Sequence, residues 1–118
     1  MNNKVFIIEP LKKWMNSITK DLEEYGEVVQ VFTEDLVTPS VFASEEWCAF
    51  LMQELTELGF DSKEDFIAVV GPTNSMALTM ALLFSNFKKI NLLFYRPKTR
   101  KYERRKLCVK NLHKSMVK

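Results

Sequence analysis

Four short, mainly apolar runs, two of them unbroken, alternate along the chain with stretches in which apolar residues recur every three or four positions. Val5 to Ile8 contains no polar residue and stops at Glu9-Pro10, the mark of a strand covered on both faces. Beyond it, Leu11, Trp14, Met15, Ile18, Leu22 and Tyr25 fall on one stripe, with Lys12, Lys13, Lys20, Asp21 and Glu24 opposite. This spacing predicts an amphipathic helix that Gly26 stops. Val28, Val29, Val31 and Phe32 predict a second strand, and residues 33–43, with Pro39 among them, the longest connection. Ser44 then stands as an N-cap, followed by Glu45 and Glu46 in the first turn, where the helix dipole favours acids. Trp47, Phe50, Leu51, Leu55 and Leu58 give this second helix its buried stripe, and Gly59 closes it.

Phe66 to Val70 predicts a third strand, also apolar throughout, and Gly71-Pro72-Thr73-Asn74-Ser75 leads from it into a helix over Met76–Phe87. That helix is apolar almost all round and so is expected to be buried on more than one side. Ile90 to Tyr95 predicts a fourth strand, and Arg96-Pro97-Lys98-Thr99 a turn. Arg100 to Arg104 would return as a short antiparallel edge strand, its cations guarding against unwanted strand pairing. Strands alternating with helices call for right-handed crossovers and a parallel sheet. The expected fold is therefore α/β: a three-layer Rossmann-like domain with a mostly parallel sheet of four strands, plus a C-terminal antiparallel edge hairpin strand. At 118 residues, 47% of them hydrophobic and 12% aromatic, the chain fits one domain over 1–118, with a basic hairpin and tail over 95–118.

Composition narrows the chemistry. Cys48 and Cys108 are far apart and His113 is the only histidine, too few ligands for a metal site, so neither a metal nor another cofactor is expected. No apolar segment reaches the roughly 20 residues of a membrane span, and the first residues do not read as a secretory signal. No membrane association and a cytoplasmic location are the expectations. Charge changes the picture more. Residues 1–87 hold five Lys/Arg and fourteen Asp/Glu, a net of −9, whereas residues 88–118 hold twelve Lys/Arg and only Glu103, a net of +11. Arg96, Lys98, Arg100, Lys101, Arg104, Arg105 and Lys106 form a positive segment that would attract phosphates, with Tyr95 and Tyr102 beside it to stack on bases. The alternative is a solvated edge strand and basic tail serving solubility, or a surface that pairs with the acidic remainder of the same or a neighbouring molecule.

In open parallel sheets, ligands bind beyond the carboxyl ends of the strands. Gly71 permits close backbone approach there, and Thr73, Asn74 and Ser75 offer the amides and hydroxyls of a helix N-terminus to an anion. Arg96 and Lys98 would arrive from the neighbouring strand. The plainer account makes Thr73 or Asn74 an N-cap and Gly71-Pro72 a turn. No GxGxxG or GxxxxGK[ST] occurs. Catalytic groups are few: Glu9, at the end of the first strand, is the one carboxylate expected to project into the crevice.

The strand, Gly71-Pro72-Thr73-Asn74-Ser75 and helix of residues 66–87, followed by Ile90–Tyr95 and the basic run Arg96–Tyr102, resemble the core of small CARF-type Rossmannoid proteins, including compact ring nucleases. That resemblance implies a cyclic oligoadenylate bound at a dimer interface by a polar helix N-terminus and basic residues, without metal. The layout is also similar to small uncharacterised α/β proteins of bacteriophages, in which a strand-end acid, a linker like Pro39–Phe42 and a basic terminal hairpin recur; no function follows from it. Both likenesses cover roughly residues 4–107. Three functions are thus carried forward. The first is a module that binds a nucleotide signal or nucleic acid through Gly71, Thr73, Asn74, Ser75, Arg96, Lys98, Arg100 and Arg104. The second is a protein-interaction module, of a viral type acting in the host cytoplasm, whose basic edge meets an acidic partner. The third is a metal-independent phosphodiesterase acting through Glu9. A homodimer joining acidic body to basic edge fits any of them.

Overall fold

The computed structural model describes residues 3–8, 16–32, 44–70 and 73–108. These form an α/β fold with three helices and a five-stranded mixed sheet. In chain order the elements are β1 (Lys4–Ile7), α1 (Asn16–Glu23), β2 (Glu27–Gln30), α2 (Ser44–Glu57), β3 (Phe66–Ala68), α3 (Thr73–Asn86), β4 (Lys89–Arg96) and β5 (Lys101–Cys108). The strand order is β2-β1-β3-β4-β5. The first four strands pair in parallel and β5 pairs antiparallel with β4, which makes the sheet mixed.

Alternation along the strands sorts the core into two layers. Phe6 and Ile8 pack with Ile67, Trp47, Leu51 and Leu83, so α2 and α3 lie on one face. Val5 and Ile7 pack with Phe66, Leu93, Tyr102 and Leu22, which places α1 on the other. The chain moves outward from β1 to β2, then reverses past β1 to β3 and β4. With crossovers of one hand, that reversal moves the helices from one face to the other. The second strand ends in the regular ladder at Gln30, yet the Val31 and Phe32 amides still donate to the Ile7 and Ile8 carbonyls. In β3 the ladder stops at Ala68, short of the predicted Val70.

α1 is described from Asn16; the predicted start at Leu11 lies outside the described residues. Gly26 follows it because a Cβ there would run into the Asn3 carbonyl. α2 begins at Ser44, and its end is a Schellman motif: the Gly59 amide donates to Thr56 O (3.1 Å) and Phe60 to Leu55 O (2.9 Å), with Gly59 at φ +75°. Phe50 departs from the predicted stripe and is 37% exposed. α3 corrects a larger expectation. Its fully buried face is one stripe, Ser75, Met76, Thr79 and Leu83, with Leu78, Met80, Leu82 and Phe84 only partly covered. The apolar residues elsewhere include exposed Ala77 and Ala81, which favour the helix through propensity rather than burial. Thr79 donates its hydroxyl to Ser75 O at 2.7 Å, which lets it sit in the core.

At the edge where β1, β3 and β4 begin, polar groups are tied together. Asp65, buried, accepts the Lys4 amide on Oδ1 (3.0 Å) and the Asp61 amide on Oδ2 (2.8 Å). Asn91, also buried, donates from Nδ2 to the carbonyls of Ser62 (3.4 Å), Lys63 (3.1 Å) and Asp65 (3.3 Å). Among the described residues no buried side-chain nitrogen or oxygen lacks a partner.

Candidate functional site

The opposite end of the sheet carries the basic hairpin. β5 is longer than the Arg100–Arg104 strand predicted: it pairs with β4 through eight positions, from Arg96↔Lys101 to Lys89↔Cys108. Leu107, opposite Ile90, packs on the core and anchors the far end of the strand, an apolar foothold that the intervening charges hide in the sequence. The turn occupies residues 97–100. Arg100 closes it by donating its backbone N–H to Arg96 O (2.8 Å), at a left-handed φ of 56°.

β3 pairs with β4 up to Ala68↔Leu93, and Val69 donates a last bond to Leu93 O (2.9 Å). Phe94, Tyr95 and Arg96 therefore continue past the parallel sheet with β5 as their strand partner, about 10 Å of two-stranded ribbon before the turn. All of Phe94–Lys101 is exposed.

Strand register decides which residues share a face, because cross-strand partners point the same way. Phe94, Arg96, Lys101, Glu103 and Arg105 lie on the face that carries α2 and α3; Tyr95, Tyr102, Arg104 and Lys106 lie on the α1 face. Lys98 and Arg100 sit in the turn between them. The predicted binding set is thus divided: Arg96 shares its face with α3, Arg104 is on the other, and Lys98 and Arg100 crown the tip. Thr73, Asn74 and Ser75 form the first turn of α3, with Ser75 buried. Gly71 and Glu9 lie outside the described residues.

The two tyrosines also separate. Their rings meet edge-to-face, with centroids 5.4 Å apart. Tyr95 is 47% exposed, but Tyr102 is 7% exposed, and its carbonyl accepts the Tyr25 hydroxyl at 2.6 Å. Burial chiefly, then the charge of Asp21 and the neighbouring Tyr95, pushes the Tyr102 phenol up to about 12. Tyr102 therefore backs Tyr95 and belongs to the core, not to the stacking surface predicted for it.

Glu103 bridges two guanidinia, at 2.9 Å from Arg96 and 3.0 Å from Arg105. Among the described residues, Lys98, Arg100, Lys101, Arg104 and Lys106 have no carboxylate within ion-pair distance. The ribbon from 96 to 106 thus sets seven cations against one acid. Sequence reasoning missed Phe94, Glu103 and Arg105 as a group. Nothing in the sequence signals it: the apolar run of β3 extends to Val70, which the parallel register would set level with Tyr95, whereas the ladder stops at Ala68.

Elsewhere, a shallow groove of about 460 Å³ lies between α2 and α3, lined in part by Glu45, Cys48, Met52, Leu78 and Leu82. The Cys48 thiol is held above its ordinary range by burial and then by Glu45, which makes it a poor nucleophile. Among the described residues, no group of three His, Cys, Asp or Glu is placed to hold a metal, and no helix is long and apolar enough to cross a membrane. No protein-family model, curated protein or solved structure matches the chain.

Proposed function

We propose that this protein binds a phosphate-rich ligand, and specifically an extended nucleic acid, through the β4–β5 hairpin. One observation carries the reading: residues 96–106 of the hairpin hold seven exposed cations and a single acid, and four of those cations, Arg96, Lys98, Arg100 and Lys101, lie in the part that reaches past the parallel sheet. Such a concentration of like charge costs folding energy through repulsion, a cost that phosphates would relieve. Its distribution favours an extended ligand over a compact one, since Arg96, Arg104 and the tip cations face three directions. A cyclic oligoadenylate, the ligand implied by the CARF-type resemblance, would reach only one of them. A Rossmann-like reading of the four parallel strands agrees with the placement, because ligands of such sheets sit beyond the strand carboxyl ends.

The test is salt dependence. Binding of a labelled oligonucleotide, followed by anisotropy, should weaken linearly on a log–log plot against salt. Arg96→Ala, Lys98→Ala and Arg100→Ala together should flatten the slope by about 2, at roughly 0.7 per phosphate contact on a single strand. An unchanged slope in a folded triple variant removes the hairpin from the function.

A second reading draws on one further fact: β5 is an edge strand eight residues long, open to addition of a strand from an acidic protein. Pull-down of one stoichiometric acidic protein, with no oligonucleotide binding, would favour it.

A further inference from the structure

Resting on the nucleic-acid reading above, the geometry points to a single-stranded ligand whose base stacks on Phe94, on the hairpin face shared with α2 and α3. Two of the three large hydrophobic side chains that stand exposed among the described residues, Phe94 at 38% and Tyr95 at 47%, are on the hairpin. An aromatic ring in water within a cationic strand is costly for a monomer's surface and suited to unstacked bases, which present a π-face whatever their identity. Paired bases inside a duplex present none to a side chain, so exposed rings among cations select single strands.

Register separates the two rings. Tyr95 leans edge-to-face on Tyr102, and Arg104 is the one strand cation at a diagonal position on its face. Phe94 has Arg96 two residues on along β4, and Arg105 and Lys101 at its two diagonal cross-strand positions. Diagonal neighbours in such a ladder are about 7–8 Å apart, within reach of long side chains, so a base over Phe94 would have cations on three sides for its flanking phosphates. Glu103, directly opposite Phe94, holds the Arg96 and Arg105 guanidinia on that face through its two oxygens. Each guanidinium gives it one nitrogen and keeps further N–H groups for phosphate.

The experiment compares a labelled oligothymidylate of about 12 nucleotides with an abasic oligonucleotide of the same length and charge, against the full chain. Phe94→Ala, and Phe94→Leu as the variant that keeps apolar bulk, should each weaken oligothymidylate binding about tenfold while leaving the abasic strand and the salt slope unchanged. Phe94→Trp should restore it. Equal binding of the two strands by the wild-type chain, or a loss on Tyr95→Ala with none on Phe94→Leu, overturns the proposal while the polyanion reading stands. Tighter binding of duplex than of single strand also overturns it. Binding of oligoglutamate as tight as that of oligothymidylate, unaffected by Phe94→Leu, would assign the surface to an acidic protein. Binding of none of these removes the nucleic-acid reading itself, and the Phe94 site with it.

Discussion

Where β1, β3 and β4 begin, Asp65 and Asn91 are buried: both Asp65 carboxylate oxygens accept backbone amides, and the Asn91 side-chain nitrogen donates to backbone carbonyls. Where β4 and β5 turn, cations and two aromatic rings stand in water, with one carboxylate among them. The same sheet carries both ends. Polar groups that close on the protein itself fix its geometry, and their removal destabilises it. Polar groups left open to solvent contribute little to stability and are available to a ligand.

The sharpest way to break this contrast is at Asp65. Asp65→Ala leaves two backbone amides without an acceptor, so unfolding in urea should show a loss of about 3 kcal/mol, with oligonucleotide affinity of the folded fraction unchanged. A comparable loss of stability in the triple cation variant of the hairpin would erase the distinction between the ends; exposed charges of that kind should alter stability by no more than about 0.5 kcal/mol.

Tyr102 tests the boundary between the two regions. Its folded phenol, near 12, lies above the ordinary unfolded value of about 10. Folding thus favours the neutral form: the stabilisation is fully present below pH about 10 and is lost as pH rises towards 12. Over that window stability should fall by about 2 kcal/mol, and Tyr102→Phe should flatten the decline. A tyrosine titrating at its ordinary value would place this residue in the solvent-facing part of the hairpin.

The smallest effect is expected at Glu103. Glu103→Gln removes the one acid of the ribbon and should tighten oligothymidylate binding about twofold and steepen its salt slope by about 1 as Arg96 and Arg105 are released to phosphates. Weaker binding would instead mean that orientation of the two guanidinia outweighs their neutralisation.

Much of this was legible in the residues. Unbroken apolar runs marked β1 and β3 because both their faces are covered. Ser44, Glu45 and Gly59 marked the limits of α2 because helix ends have few chemical solutions. The turn after Arg96 showed through Pro97. What escaped was whatever depends on parity and on the third dimension. Arg96 and Arg104 look equivalent in a list of cations; the pairing Leu93↔Arg104 puts them on opposite faces. Phe94 reads as one more core residue because nothing in its own identity says that β3 has already ended. Tyr102 is buried only because α1 and Tyr25 come over it. The apolar contour of α3 misled for a different reason, since alanine serves helix propensity and burial alike.

Strand order also imposes an order in time. Ile67 pairs on one side with Phe6 of β1, made early, and on the other with Leu92 of β4, made after β3. While the ribosome is still delivering residues 89–108, β3 is therefore an open apolar edge. The four-residue turn lets β4 and β5 pair with each other within about 1–10 μs of emerging, so the hairpin can arrive as one preformed piece. A nascent chain stalled before residue 89 is the species on which a chaperone, or a second stalled copy, would find that edge.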